Sequence, residues 1–204
     1  MNTLRITCLL AVVVVAETAA SGEFNRVLNV GDAAPIWQDL PGVDGQAHSL
    51  GDLSDKDAVV VVFTCNSCPY AVDIEDRLIE LSREYRDRNV AVVAINVNLV
   101  REDLLPAMKQ RAAEKQFPFA YLFDESQQIA KDFGAKRTPE CFVLDGDRKV
   151  VYMGAFDDSP DGKAITKTYT RDAIEAVLDG QETTVAETNP IGCLIRIKRA
   201  RGGR

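Results

Sequence analysis

The sequence has one histidine, His48, and one tryptophan, Trp37, in 204 residues, and only five cysteines. A structural zinc site needs four ligands, as two Cys-x-x-Cys pairs or one pair with two histidines. A single such pair is present, Cys65 and Cys68, so that site cannot be assembled from the usual ligands. So few cysteines also exclude a disulfide-dense scaffold, because a chain of this length can build its own core. Internal repeats and low-complexity linkers are lacking, and one domain is expected over residues 25–197. The 46% hydrophobic and 27% charged residues are globular values, which excludes wholesale disorder.

Net positive charge is lacking outside the C-terminus. Arg196, Lys198, Arg199, Arg201 and Arg204 crowd into the last nine residues, and the remaining chain carries −12 once these five are taken from the overall −7. An acidic body excludes nucleic acid as a partner, since phosphate binding needs a basic surface. The basic tail, residues 198–204, reads as a solvated end, with membrane contact through anionic lipid headgroups as the alternative.

At the other end, Arg5 precedes an uncharged apolar run, Ile6 to Ala16, followed by the small residues Thr18, Ala19 and Ala20. This is the pattern of a cleaved signal peptide over residues 1–20. The run is about half of the roughly 20 residues that a spanning helix needs. Export to the periplasm or the extracellular space is therefore expected, with Cys8 leaving in the peptide. Four cysteines then remain, Cys65, Cys68, Cys141 and Cys193, in a compartment that permits disulfides.

Between these ends the pattern alternates strand and helix. Gly42-Val43-Asp44-Gly45 reads as a turn between short strands at 36–40 and 47–50. Val59 to Phe63 is wholly apolar and β-branched up to its final aromatic, which suits a strand buried on both faces. A helix is predicted from Pro69 to about Arg88, with Ile74, Leu78, Leu81 and Tyr85 forming one stripe. Val90 to Ile95 is a second buried strand, giving β-α-β with a parallel pair. A helix at 103–115, a strand at 119–123 and a short helix at 127–133 follow. Strands at 141–144 and 150–153 flank the turn Asp145-Gly146-Asp147, and a last helix spans 169–178.

The chemistry concentrates in Phe63-Thr64-Cys65-Asn66-Ser67-Cys68-Pro69, where a buried strand ends and a long helix begins. Amide N–H groups and the dipole at a helix start stabilise a thiolate. Cys65, at that edge, is expected to be the exposed attacking thiol, with Cys68 one turn in and placed to resolve a mixed disulfide. A purely structural disulfide over so short a loop would remove little chain entropy.

With Thr138-Pro139-Glu140 ahead of Phe142-Val143-Leu144-Asp145, these motifs make the chain resemble the thioredoxin-like superfamily, in its alkyl hydroperoxide reductase/thiol-specific antioxidant (redoxin) branch, over about 30–178. The resemblance implies an α/β thioredoxin-like fold: a central mixed sheet flanked by helices, with an N-terminal hairpin and an inserted helix-strand. It implies a cis Thr138–Pro139 bond beside the dithiol, with the Thr138 backbone pairing with a substrate chain. It also implies a protein or small-molecule disulfide or thiol as substrate, a thiol electron donor or acceptor as partner, and no cofactor.

The chain departs from its relatives at several places. The buried Asp that thioredoxins carry six residues before the first Cys is Val59 here, and no Trp adjoins the motif. Peroxiredoxins place a Thr three residues before their reactive Cys; counting back from Cys68 lands on Cys65. Arg137 lies near the locus of the peroxiredoxin Arg. Dithiol–disulfide exchange is the first reading, peroxide reduction the second, and a metal-binding or copper-delivery module the third. Cys141, on a strand expected to be buried, reads as a core residue or an accessory redox thiol. Cys193 is a candidate to resolve a sulfenic acid or to pair with Cys141.

Overall fold

In the computed structural model, which describes residues 22–198, the chain enters through a hairpin of β1 (Leu40–Pro41) and β2 (Ala47–His48). Both strands are shorter than the pattern suggests. Asp39 takes a left-handed conformation, φ 52°, which breaks the extended run before Leu40, and Leu50 opens a 3-10 turn that ends the second strand. The expected signal peptide and the tail beyond Lys198 lie outside the described residues.

The apolar run forms β3 (Ala58–Phe63), every residue of which is fully buried. It leads through a short loop into α1 (Pro69–Tyr85), and a 3-10 turn carries the chain to β4 (Val90–Asn96). Next come α2 (Leu105–Lys115), β5 (Ala120–Phe123) and α3 (Gln128–Asp132). A two-residue strand β6 (Arg137–Thr138), then β7 (Glu140–Leu144) and β8 (Val150–Gly154), precede α4 (Tyr169–Leu178). A second two-residue strand, β9 (Cys193–Leu194), lies near the end.

The central sheet runs β5-β4-β3-β7-β8. β3, β4 and β5 are parallel, and β7 and β8 are antiparallel additions. Because side chains alternate along a strand, β3 feeds two cores. Val59, Val61 and Phe63 join Trp37, Phe133 and Phe142 on one side. Phe63, Phe133 and Phe142 meet edge-on, with centroids 5.4, 5.8 and 5.0 Å apart, a favoured aromatic geometry. Ala58, Val60 and Val62 join the α1 stripe of Ile74, Leu78, Leu81 and Tyr85 and, from α4, Ala173 and Ile174. Each such buried aliphatic or aromatic side chain contributes about 1.5–3 kcal/mol relative to exposure, so α1 is held by its stripe.

After α4 the chain turns back over the sheet edge. Thr188 N–H donates to the Met153 carbonyl at 3.0 Å, and Met153 N–H to that of Ala186 at 3.1 Å. Gly154 permits the approach: it has φ 139°, and a Cβ there would lie 2.3 Å from the Thr188 oxygen. The Glu187 carboxylate accepts the amides of Glu23, Phe24 and Asn25 at 2.8, 2.7 and 2.7 Å. β9 then pairs antiparallel with β6. Among the described residues, no helix is long and apolar enough to cross a membrane.

Candidate functional site

The site forms where β3 gives way to α1. Phe63 ends the strand, Thr64 N–H still bonds the Ile95 carbonyl at 3.0 Å, and the chain then leaves the sheet. Pro69 occupies the first helical turn, where its missing N–H costs nothing, so Cys68 becomes the N-cap of α1. This corrects the expectation that Cys68 sits one turn inside the helix and that Cys65 stands at its start. The expected exposure of Cys65 is also overturned: both residues are only 2% exposed. Cys65 packs with Cys68 and Ala71, and Cys193 lies against them.

The two thiols pack together in one buried cluster, and their contact sets their acidities in opposite directions. Cys65, as donor, holds Cys68 in the thiolate form, which brings the Cys68 thiol down to about 4. Contacts from the Cys193 thiol, the Thr138 hydroxyl and the Ala71 amide act the same way, while burial opposes them. One contact runs against the shift: Cys68 Sγ lies 2.9 Å from the Thr138 carbonyl oxygen, which suits a protonated thiol. The Cys65 thiol is the largest of these causes and favours the thiolate, in keeping with the anion preference of a helix start. Cys65 is pushed far up by the contact with Cys68 and by burial, with a lesser push from the Asp103 carboxylate, against opposing contacts from Thr138 and Ser67. The low-pKa thiol is therefore Cys68, and Cys65 holds the proton behind it.

Asp103 was not singled out from the sequence, yet it organises the loop. It is fully buried, and its carboxylate accepts the Ser67 amide at 2.8 Å, the Ser67 hydroxyl at 2.6 Å and the Asn98 amide at 3.2 Å. Tyr121 donates to Asn66 Oδ1 at 3.0 Å, fixing the other intervening residue. The sequence signal was an acidic residue at a predicted helix start. Asp103 instead ends a 3-10 turn before α2, and its side chain reaches back to the dithiol loop.

Pro139 is cis, as the resemblance implied. The buried Glu140 carboxylate accepts the amides of Lys136 and Arg137 at 2.7 and 2.9 Å and fixes the approach to it. Thr138 Oγ1 lies 3.5 Å from Cys65 Sγ, so Thr138 touches both sulfurs. The backbone edge expected to receive a substrate is already paired here: Thr138 stands opposite Cys193 in the β6–β9 ladder. Arg137 donates to the Gly192 carbonyl at 2.6 Å rather than pointing at a sulfur.

Cys141 does not join this cluster. It is fully buried among Val60, Val143 and Tyr152 on the α1/α4 side of the sheet, and burial pushes its thiol up to about 12. The accessory redox role and the pairing with Cys193 are both corrected by that placement. A strand residue whose side chain faces the helix layer cannot reach the loop at the strand's end. Among the described residues, no group of three or more His, Cys, Asp or Glu side chains is placed to hold a metal ion.

Two thiols at the join of a central strand and a helix, beside a cis-proline, define a thioredoxin-fold thiol protein. The redoxin family model matches residues 29–172, and the chain belongs to the redoxin family. A hypothetical protein from Sinorhizobium meliloti 1021 is 34% identical and has a TM-score of 0.81, the match covering 86% of this chain and 98% of that one. Two more distant structures share the fold. A peroxidoxin of Mycobacterium tuberculosis has 23% identity, TM-score 0.58 and coverage of 74% and 96%. A putative thiol:disulfide interchange protein DsbE of Chlorobium tepidum has 24% identity, TM-score 0.60 and coverage of 74% and 99%. No curated protein matches the chain by sequence.

Proposed function

We propose that this redoxin is a thiol–disulfide oxidoreductase that works through Cys65 and Cys68. The observation that carries the reading is the placement of the pair: Cys68 at the N-cap of α1 with the Cys65 thiol packed against it, beside the cis Thr138–Pro139 bond. The Cys68 thiolate attacks a substrate disulfide, one substrate sulfur leaves as a thiolate, and a mixed disulfide forms at Cys68. Cys65 gives up its proton and attacks the Cys68 sulfur. The Cys65–Cys68 bond forms and the second substrate thiolate is expelled. An external thiol donor returns the pair to the reduced state, and the cycle runs backwards where the partner is a thiol to be oxidised. No cofactor enters these steps.

The low pKa of Cys68 also favours peroxide reduction, the second reading. Peroxide chemistry needs groups that orient the oxidant and stabilise developing charge. The residue three before Cys68 is Cys65, a weaker hydrogen-bonding group than a hydroxyl, and Arg137 is engaged by Gly192. Stopped-flow oxidation of the reduced protein separates the readings. A peptide disulfide is expected to react well above the free-thiol rate, and hydrogen peroxide no faster than it reacts with a free thiolate. Peroxide oxidation orders of magnitude faster than that, lost in Cys68→Ser, would replace exchange by peroxidase activity.

Export belongs to the same proposal, supported by the Arg5 and Ile6–Ala16 pattern. Intact mass of the protein from its own host is expected to lack about the first 20 residues, and a full-length cytosolic product would refute export.

A further inference from the structure

Three thiols meet at this site, and the cycle above uses two. The third, Cys193, is held in place by contacts spread over the last described residues. Cys193 stands opposite Thr138, and Ile195 N–H donates to the Lys136 carbonyl at 2.8 Å. Arg137 grips the Gly192 carbonyl at 2.6 Å. The buried Gln127 donates to the Arg196 carbonyl at 3.0 Å and accepts the Lys198 amide at 2.8 Å. Gly192 sits so close to the cis-proline peptide that a Cβ there would lie 2.1 Å from the Thr138 oxygen and 3.0 Å from the Pro139 nitrogen. Chain ends are ordinarily the least constrained part of a domain. Here the constraints converge on one result, a half-buried Cys193 thiol against Cys68.

We propose that Cys193 is the third thiol of the redox centre, attacking the Cys68 sulfur whenever that sulfur is held in a disulfide and closing a Cys68–Cys193 bond. The inference rests on the dithiol reading. Starting from the Cys65–Cys68 disulfide, Cys193 loses its proton to solvent and its thiolate attacks Cys68 Sγ. The Cys68–Cys193 bond forms, the Cys65–Cys68 bond breaks, and Cys65 leaves as a thiolate that takes up a proton. No electrons are gained or lost in this exchange, since the substrate disulfide has already supplied the oxidation. If Cys68 is joined to a substrate sulfur instead, the same attack expels the substrate thiolate.

The electrostatics favour the step only in the oxidised site. In the reduced site, the contact with Cys68, burial and the charge of Cys68 together push the Cys193 thiol up to about 11. A Cys68 sulfur in a disulfide carries no charge, so its two contributions disappear; burial still opposes ionisation, while Arg196 and Arg137 pull Cys193 down. The consequence is access. The Cys65–Cys68 bond is buried at both ends, whereas a Cys68–Cys193 bond has one sulfur on a half-buried edge residue, where an external thiol can attack it.

The test uses the full-length Cys65→Ser protein, reduced and then treated with one equivalent of dithiobis(nitrobenzoate). Two coloured thiolates are expected per reagent molecule, and trypsin is expected to yield peptide 57–77 linked to peptide 172–196. Cys141 and Cys8 fall in separate peptides, 138–148 and 6–26. One thiolate released, with the other retained on 57–77 and Cys193 still open to alkylation, would overturn the proposal. Adding Gly192→Ala, which must displace β9, is expected to slow the second release by about tenfold; an unchanged rate would also overturn it. Should Cys65→Ser fail to fold, the wild type oxidised in the same way is mapped. A 57–77/172–196 link supports the proposal, and closure confined to 57–77 refutes it. A wild type in which Cys68 closes with neither Cys65 nor Cys193 refutes the dithiol reading, so the two fail separately.

Discussion

Replacing Cys68 with serine lowers the rate of exchange with a peptide disulfide at pH 7 by at least about 10²-fold. At that pH a thiol brought down to about 4 is fully ionised, whereas an ordinary cysteine is a few per cent thiolate. The thiols left at the site in Cys68→Ser are Cys65, buried beside the Asp103 carboxylate, and the half-buried Cys193, pushed up by its own burial. Cys65→Ser behaves differently, because the attacking thiolate survives and only a resolving thiol is lost. In the double variant Cys65→Ser/Cys193→Ser, one substrate sulfur is expected to stay bound to Cys68 as a stable mixed disulfide. Peptide mass mapping of the trapped species checks this. Trapping in Cys68→Ser, on Cys65, would reverse the assigned roles.

The second large effect is in the pH dependence of alkylation. Cys68 is brought down to about 4, so its thiolate is present above that pH and is lost only as pH falls through it. The iodoacetamide rate at Cys68 is expected to stay flat from about pH 5 to pH 8. An unperturbed thiol near 8.5 rises about tenfold per pH unit over the same range. At pH 5.5 Cys68 is about 10³-fold more ionised than such a thiol. Its lower basicity removes about two of those three decades through reduced nucleophilicity, leaving about a tenfold advantage. The shape of the profile is thus the sharper criterion. Fragmentation of peptide 57–77 locates the label, and a rate that climbs through pH 8, or label on Cys65 first, contradicts the assignment.

Much of the scaffold was legible in the sequence because it rests on periodicity. Val59 to Phe63 read as a doubly buried strand, and the 74, 78, 81, 85 stripe gave the helix face that packs on it. The helix 169–178 appears at its predicted bounds. What could not be read were the parts that depend on pairing across the chain. β6 and β9 have two residues each, too few to show alternation, and their pairing joins residues 55 and 57 apart. Cys193 accordingly looked like one thiol in a C-terminal extension. Asp103 carries no motif; only the return of the chain from β4 brings it beneath Ser67.

The misassigned edge of the helix is a different case, since the signal was present. A proline in the first helical turn makes the residue before it the N-cap, and Pro69 therefore pointed to Cys68. The end of the buried strand, read as the helix edge, placed it at Cys65 instead. Cys141 shows the reverse lesson: its place next to a cis-proline suggested chemistry, while strand alternation, already visible in the sequence, turned it into the core.

The most direct test of the central claim is equilibration of the reduced wild-type protein across a series of glutathione redox buffers, followed by acid quench and alkylation of every free thiol. Cys68 is expected to lose alkylation in a single two-electron transition, together with Cys65 where the closed bond is recovered in peptide 57–77 and together with Cys193 where it has passed to peptide 172–196. If Cys65 and Cys68 stay open when the glutathione is fully oxidised, or take up glutathione without closing, they are not a redox couple and the account is wrong.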